Sequence, residues 1–172
     1  IGATFSGNHR PVLDPLVSTK KQLDYLLDSG LVVEEYREQF VKVIDELITV
    51  VNPFFSGKEK IYIHGDCHFS NILNRPDEPL FLIDLDDMCL GPPVQDMWML
   101  LPDRPDKTLA EIEMFLEGYE SFRRFDFNTI KMIESLRAMR YVHYMAWCGY
   151  QAVEDGSVSL IENYGSRIYW QK

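Results

Sequence analysis

The stretch IYIHGDCHFSNILN, residues 61–74, sets two histidines, an aspartate, a cysteine and an asparagine close together inside an otherwise apolar run. His64, Asp66 and His68 alternate, so on an extended strand all three would face the same way, and zinc accepts such a ligand set. The other histidines, His9 and His143, lie far off in the sequence, which leaves that reading short of further ligands.

A second reading starts from FLIDLDD, residues 81–87. An apolar strand ending in Asp-x-Asp could present Asp84 as a nucleophile and Asp86 as its proton-handling partner. Met88 stands where a small hydroxyl residue would be expected beyond the second aspartate.

A third reading joins both segments. Asp66 and Asn71 are separated by four residues, and Asp84 ends the next apolar strand, the layout of a phosphoryl-transfer site. Such a site divides its labour. One carboxylate orients or accepts the proton of the attacking hydroxyl, while a neutral amide and a second carboxylate hold Mg²⁺ against nucleotide phosphates. Hard oxygen ligands suit that cation.

The flanking sequence is mostly helical in pattern. Ser18 or Thr19 caps a helix carrying Leu23, Leu26 and Leu27, with Gly30 as its stop. In residues 33–51, Tyr36, Phe40, Val43, Ile44, Leu47, Ile48 and Val51 recur at helical spacing, and Asn52-Pro53 ends the run. Residues 60–64 and 80–85 read as two strands forming a β-hairpin-like pair, with NRPDEP, residues 74–79, as a turn between them. Helical patterns follow over 94–101, 108–122 and 128–151, with a last piece around 162–172. The fold expected is one domain over residues 1–172, mostly α, with a short β element carrying the unusual polar residues.

Composition narrows the classes. With 46% hydrophobic residues in 172, the chain can bury a core of its own. A net charge of −10 disfavours a nucleic-acid partner, which needs clustered positive charge. No apolar run approaches the roughly 18 residues of a membrane span, and the opening IGATFSGNHR has no secretory pattern, so a cytoplasmic protein with no membrane partner is expected. Cys67, Cys89 and Cys148 are widely spaced and read as reduced thiols, with Cys67 a small buried residue. The chain opens on Ile1 in place of methionine, which suggests a segment removed ahead of it.

HGDCHFSNIL, followed by FLIDLDD and GPPVQDMWML, resembles the motif of the aminoglycoside phosphotransferase and choline kinase superfamily, which shares the protein-kinase fold. Together with SLRAMRYVHYMAW, these runs are most similar to the bacterial stress response kinase A family of protein Ser/Thr kinases. The resemblance implies the C-terminal lobe of a protein-kinase-like fold. It implies Asp66 as catalytic base, Asn71 and Asp84 as Mg²⁺ ligands, Asp86 as a helper at a second metal, and His68 as a contact to the transferred phosphate. Asp96 would brace the catalytic loop, and Gly65 replaces the arginine by which many kinases read an activation-loop phosphate. ATP is the implied co-substrate, and the acceptor is a protein Ser/Thr or a small hydroxylated molecule such as an aminoglycoside, choline or a sugar. A non-catalytic pseudokinase is the remaining alternative. Residues 1–52 show no β-rich segment and no Gly-rich phosphate loop, so the N-terminal lobe that grips ATP is expected to be missing and the fragment alone inactive.

Among the remaining residues, His64 reads as an orienting or core histidine, one ring nitrogen satisfying a backbone carbonyl. Tyr141, Tyr144, Met145, Trp147 and Cys148 read as core filling, and Arg137 and Arg140 either pair with acids such as Asp96 or line a substrate groove.

Overall fold

The computed structural model describes residues 9–153 and 161–171. Along the chain the elements are α1 (Lys20–Asp28), α2 (Glu34–Phe55), β1 (Ile61–Ile63), β2 (Ile72–Leu73), β3 (Phe81–Leu82), β4 (Cys89–Gly91), α3 (Val94–Trp98), α4 (Leu109–Glu120), α5 (Ile133–Val153) and α6 (Arg167–Trp170). Two compact units result, one formed by Ile1–Leu13 with Gly57–Glu134, the other by Asp14–Ser56 with Ser135–Lys172. The opening stretch expected to carry no targeting signal lies, up to Asn8, outside the described residues.

In the second unit the chain enters α1 through a π-helical turn, Pro15–Thr19. Its cap is Asp14, whose Oδ1 accepts the Leu16 N–H at 3.0 Å. Neither Ser18 nor Thr19 caps α1: Ser18 Oγ donates to the Asp14 carbonyl, and Thr19 is buried. The stop at Gly30 holds, with φ +67 in the left-handed region that terminates helices. Helix α2 runs past Asn52-Pro53 to Phe55. A proline that late removes only one main-chain bond, and burial of Phe55 secures the last turn. Leu23, Ile44, Ile48 and Val142 form one core cluster, with Phe40 and Leu47 packed against it. Leu26, Leu31 and Val32 form another, closed by Tyr164 and by Trp170, whose indole Nε1 donates to the Leu31 carbonyl at 2.8 Å. On α5, Cys148 is buried but Tyr141, Tyr144 and Trp147 are exposed, so this aromatic stripe is not core filling. Arg137 and Arg140 are half-buried, and each is engaged in polar or electrostatic contact.

In the first unit the strands form two antiparallel ladders. β1 pairs with β4, Tyr62 opposite Leu90, and β2 pairs with β3, Ile72 opposite Leu82. The segments 60–64 and 80–85 therefore do not pair with each other. Gly65, at φ +85, and the 3₁₀ turn Phe69–Asn71 redirect the chain straight after β1, so Ile72–Leu73 becomes the hairpin partner of Phe81–Leu82. β4 has three residues and ends in glycine, too short for a period-two pattern to register. Val12 adds a parallel bridge to Leu90. Gly91 permits the close approach at this ladder, since a Cβ there would lie 2.6 Å from Ile63 Cδ1.

The helical expectation over 94–101 contracts to α3, whose Val94 and Met97 are fully buried. Each such side chain contributes roughly 1.5–3 kcal/mol of transfer free energy. Helix α3 packs on the 3₁₀ turn Phe127–Met132, which replaces the first turn of the long helix expected from residue 128. All the residues of the polar cluster lie in this first unit.

Candidate active site

The loop after β1 is held from below by the first turn of α3. Asp96 accepts the His64 backbone N–H on Oδ2 at 2.8 Å and the Gly65 N–H on Oδ1 at 2.9 Å. Gln95 donates its Nε2 to the Gly65 carbonyl at 3.1 Å and is itself held by Trp98 Nε1 on its Oε1 at 3.0 Å. Gly65 is thus gripped at both its N–H and its carbonyl by consecutive residues. The bracing role of Asp96 is visible directly; Gln95, a buried amide in the same turn, was missed.

Burial outweighs those two N–H bonds and raises the Asp96 carboxyl above the ordinary 3.8. The folded state therefore binds this proton more tightly than the unfolded chain. The stability so contributed is fully present below the unfolded value and is lost as pH rises through the raised one. Urea titrations at rising pH, starting below the ordinary 3.8, are expected to show that decline in the parent chain and a flatter profile in Asp96→Asn. Identical profiles would show that Asp96 does not titrate over this rise in pH.

His64, 5% exposed, ties the two halves of the cluster together. Its Nε2 lies 2.8 Å from the Ile83 carbonyl, and its Nδ1 accepts the Asp66 backbone N–H at 3.4 Å. This pattern assigns the neutral tautomer with the proton on Nε2. With both ring nitrogens engaged, His64 has no lone pair for a metal. Among the described residues no group of three or more His, Cys, Asp or Glu is placed to hold a metal ion, which removes the zinc reading.

Ile83 is held a second time, its N–H donating to the Asn71 carbonyl at 3.0 Å. Asp84 follows immediately, at φ +61, a conformation uncommon outside glycine and least costly for Asp and Asn. This kink separates its carboxylate from the direction of β3. The Asp84 and Asp86 side chains are exposed, and Arg10 donates to the Asp86 carbonyl at 3.1 Å.

Asn71 is 6% exposed. Its Nδ2 donates to the Asp66 carbonyl at 3.0 Å, while no described residue donates to its Oδ1. The amide oxygen is thereby oriented and left available to a cation. Asn71 and Asp84 could offer the kind of donors Mg²⁺ favours, a carboxylate with a neutral oxygen, the other positions going to water and phosphate. A magnesium site of this kind needs no cluster of three acidic or histidine ligands.

His68 Nε2 stands 3.6 Å from Asp66 Oδ2 and 3.5 Å from Asn71 Nδ2. Cys67 is buried, and that burial, followed by the negative charges of Asp96 and Asp66, pushes its thiol up to about 11. It is protonated near neutrality and is no nucleophile. All three cysteines are buried and outside any disulfide.

The apolar run around β3 is not a core strand. Leu80, Phe81, Leu82, Ile83 and Leu85 are all exposed, as is Phe69 at 69%. An apolar shelf therefore flanks Asp84 on both sides in sequence.

A loop gripped by an aspartate of the next helix, an oriented asparagine and an aspartate beyond a short hairpin define a phosphotransferase-type centre. The chain belongs to the phosphotransferase enzyme family APH, whose model matches residues 3–132, more than half of the chain. It is 41% identical over 143 residues to stress response kinase A of Escherichia coli strain K12, covering 81% of this chain and 42% of that protein. Over 121 residues it is 41% identical to the serine/threonine protein kinase RdoA of Salmonella typhimurium, covering 70% of this chain and 36% of that one. The chain thus spans less than half the length of these relatives. Among solved structures, amicoumacin kinase hAmiN in complex with AMP-PNP, Ca²⁺ and Ami superposes with a TM-score of 0.60 at 17% identity, over 91% of this chain and 49% of that one. The shared fold is that of about half of a kinase, in keeping with a C-terminal lobe.

Proposed function

We propose that this chain is the catalytic lobe of an ATP-dependent kinase that transfers a phosphoryl group to a hydroxyl, with Asp66 as base and Mg²⁺ held by Asn71, Asp84 and Asp86. The observation that carries the reading is the His64 bridge, by which one imidazole links the Asp66 backbone to the residue preceding Asp84. Mg²⁺ would neutralise phosphate charge at this centre. Asp66 accepts the hydroxyl proton as the new oxygen–phosphorus bond forms and the bond from the γ-phosphorus to the bridging oxygen of ADP breaks. His68, next to Asp66, donates a hydrogen bond to the transferred group. The apolar shelf of Leu82, Ile83 and Leu85 offers a surface for the nucleotide base.

Identity to relatives named as stress response and serine/threonine kinases favours protein Ser/Thr as the acceptor over an aminoglycoside, choline or a sugar. No helix among the described residues is long and apolar enough to cross a membrane. A pseudokinase reading is disfavoured by an asparagine whose amide oxygen is oriented and left open.

None of the four strands among the described residues contains a lysine, so no strand lysine for the ATP phosphates is supplied here. The isolated chain is accordingly expected to transfer no phosphate, and a protein joining it to a phosphate-gripping lobe is the proper test. In such a protein, radiolabelled transfer to mixed protein acceptors should require Mg²⁺. Asn71→Ala should raise the Mg²⁺ needed for half-maximal rate by roughly tenfold or more. Transfer that proceeds in chelator, or that is confined to small amines and sugars, would reject the metal or the acceptor assignment respectively.

A further inference from the structure

Beyond α4, the chain forms an open hollow of about 550 Å³ lined by Arg123, Arg124, Phe125, Phe127 and Asn128, with Glu59 and Asp126. Its acids are already matched. Arg123 is ion-paired with Glu59, and Lys58 Nζ lies 2.8 Å from Asp126 Oδ2. Asn128 donates its Nδ2 to Asp126 Oδ1 at 3.1 Å. Arg124 is exposed and forms no hydrogen bond or ion pair among the described residues, so the hollow keeps one uncompensated guanidinium. A ring that lines the hollow is uncovered too: Phe127 is 55% exposed.

We propose that this hollow docks an acidic peptide segment of a partner protein, one carboxylate engaging Arg124 and neighbouring aliphatic side chains covering Phe127. A guanidinium presents a planar fork that a carboxylate fills with two parallel hydrogen bonds. An exposed phenyl ring offers nothing to an inorganic anion, whereas a peptide carrying aliphatic residues buries it. A single uncompensated cation in the hollow, among the described residues, is too little for a nucleic-acid backbone. The net charge of −10 opposes an acidic partner at long range, so recognition falls to this short-range fork and the ring. None of these groups belongs to the phosphoryl-transfer centre, and the inference stands or falls separately from it.

The test is fluorescence anisotropy of a labelled pentapeptide, LEDLE, with the 172-residue chain. Saturable binding is expected, weakened roughly tenfold or more by Arg124→Glu and by a smaller factor by Arg124→Gln. Phe127→Ala should weaken it roughly threefold. Arg104→Glu, an exposed arginine paired with Glu134, should leave it unchanged. The Arg124→Glu chain should in turn bind the lysine counterpart LKKLK. Equal thermal midpoints for these surface variants establish that the fold is intact. Absence of LEDLE binding, or binding indifferent to Arg124→Glu, overturns the proposal. Displacement by inorganic phosphate together with no effect of Phe127→Ala also overturns it, in favour of a small-anion site.

Discussion

Asp66→Asn, in a protein joining this chain to a phosphate-gripping lobe, is expected to lower kcat for phosphoryl transfer by roughly 10²–10⁴ while leaving the thermal midpoint nearly unchanged. A carboxamide keeps the size of the side chain but cannot accept the hydroxyl proton. The fold survives because the loop is held through the Asp66 backbone: its N–H reaches His64 Nδ1, and its carbonyl accepts from the His68 N–H and from Asn71 Nδ2. Steady-state rates over a pH series, read beside thermal unfolding, separate the outcomes. Unchanged turnover would remove Asp66 as base, and a collapsed midpoint would make it structural.

Gly65→Ala should have the largest effect on stability, a loss of roughly 2–4 kcal/mol in urea unfolding. Gly65 sits at φ +85, and a Cβ built there would lie 2.2 Å from the Asp87 carbonyl oxygen. That neighbour is backbone and cannot rotate away. The chain could yield only by moving Asp87, three residues beyond Asp84, or by releasing the grip of Asp96 and Gln95 on Gly65. Turnover should therefore fall together with stability, in contrast to Asp66→Asn. A loss below about 0.5 kcal/mol would mean the loop relaxes without strain. The same contact gives a steric reason for glycine before Asp66, where many kinases carry arginine.

The candidate site was readable to an uneven degree. Asp66, Asn71 and Asp84 stood out because polar residues inside apolar runs need a reason; their spacing fitted a phosphoryl-transfer layout among other readings, and the resemblance supplied their roles. Asp96 was legible through the resemblance alone. Gln95 and the linking role of His64 were not, because both depend on which carbonyl lies opposite in space. β1 and β3 were placed along the chain but paired with each other wrongly, and β2 and β4 were not foreseen, since period-two patterning locates a strand of some length without naming its partner. Tyr141, Tyr144 and Trp147 share the helical spacing of core residues, yet they lie outside. Periodicity marks a common face and leaves open which side is covered.

By itself, the order of residues determined the helical character, the site's residue types and the family, because these depend on local propensity, turn chemistry and motif spacing. Tertiary structure decided what those residues do to one another. It set β1 against β4, turned Asp84 into a left-handed kink, engaged both nitrogens of His64, and left the Asn71 amide oxygen open. The physical reason is that a hydrogen bond or a steric contact between residues 64 and 83, or 65 and 87, is fixed by chain reversal at a distance, which neither segment encodes alone.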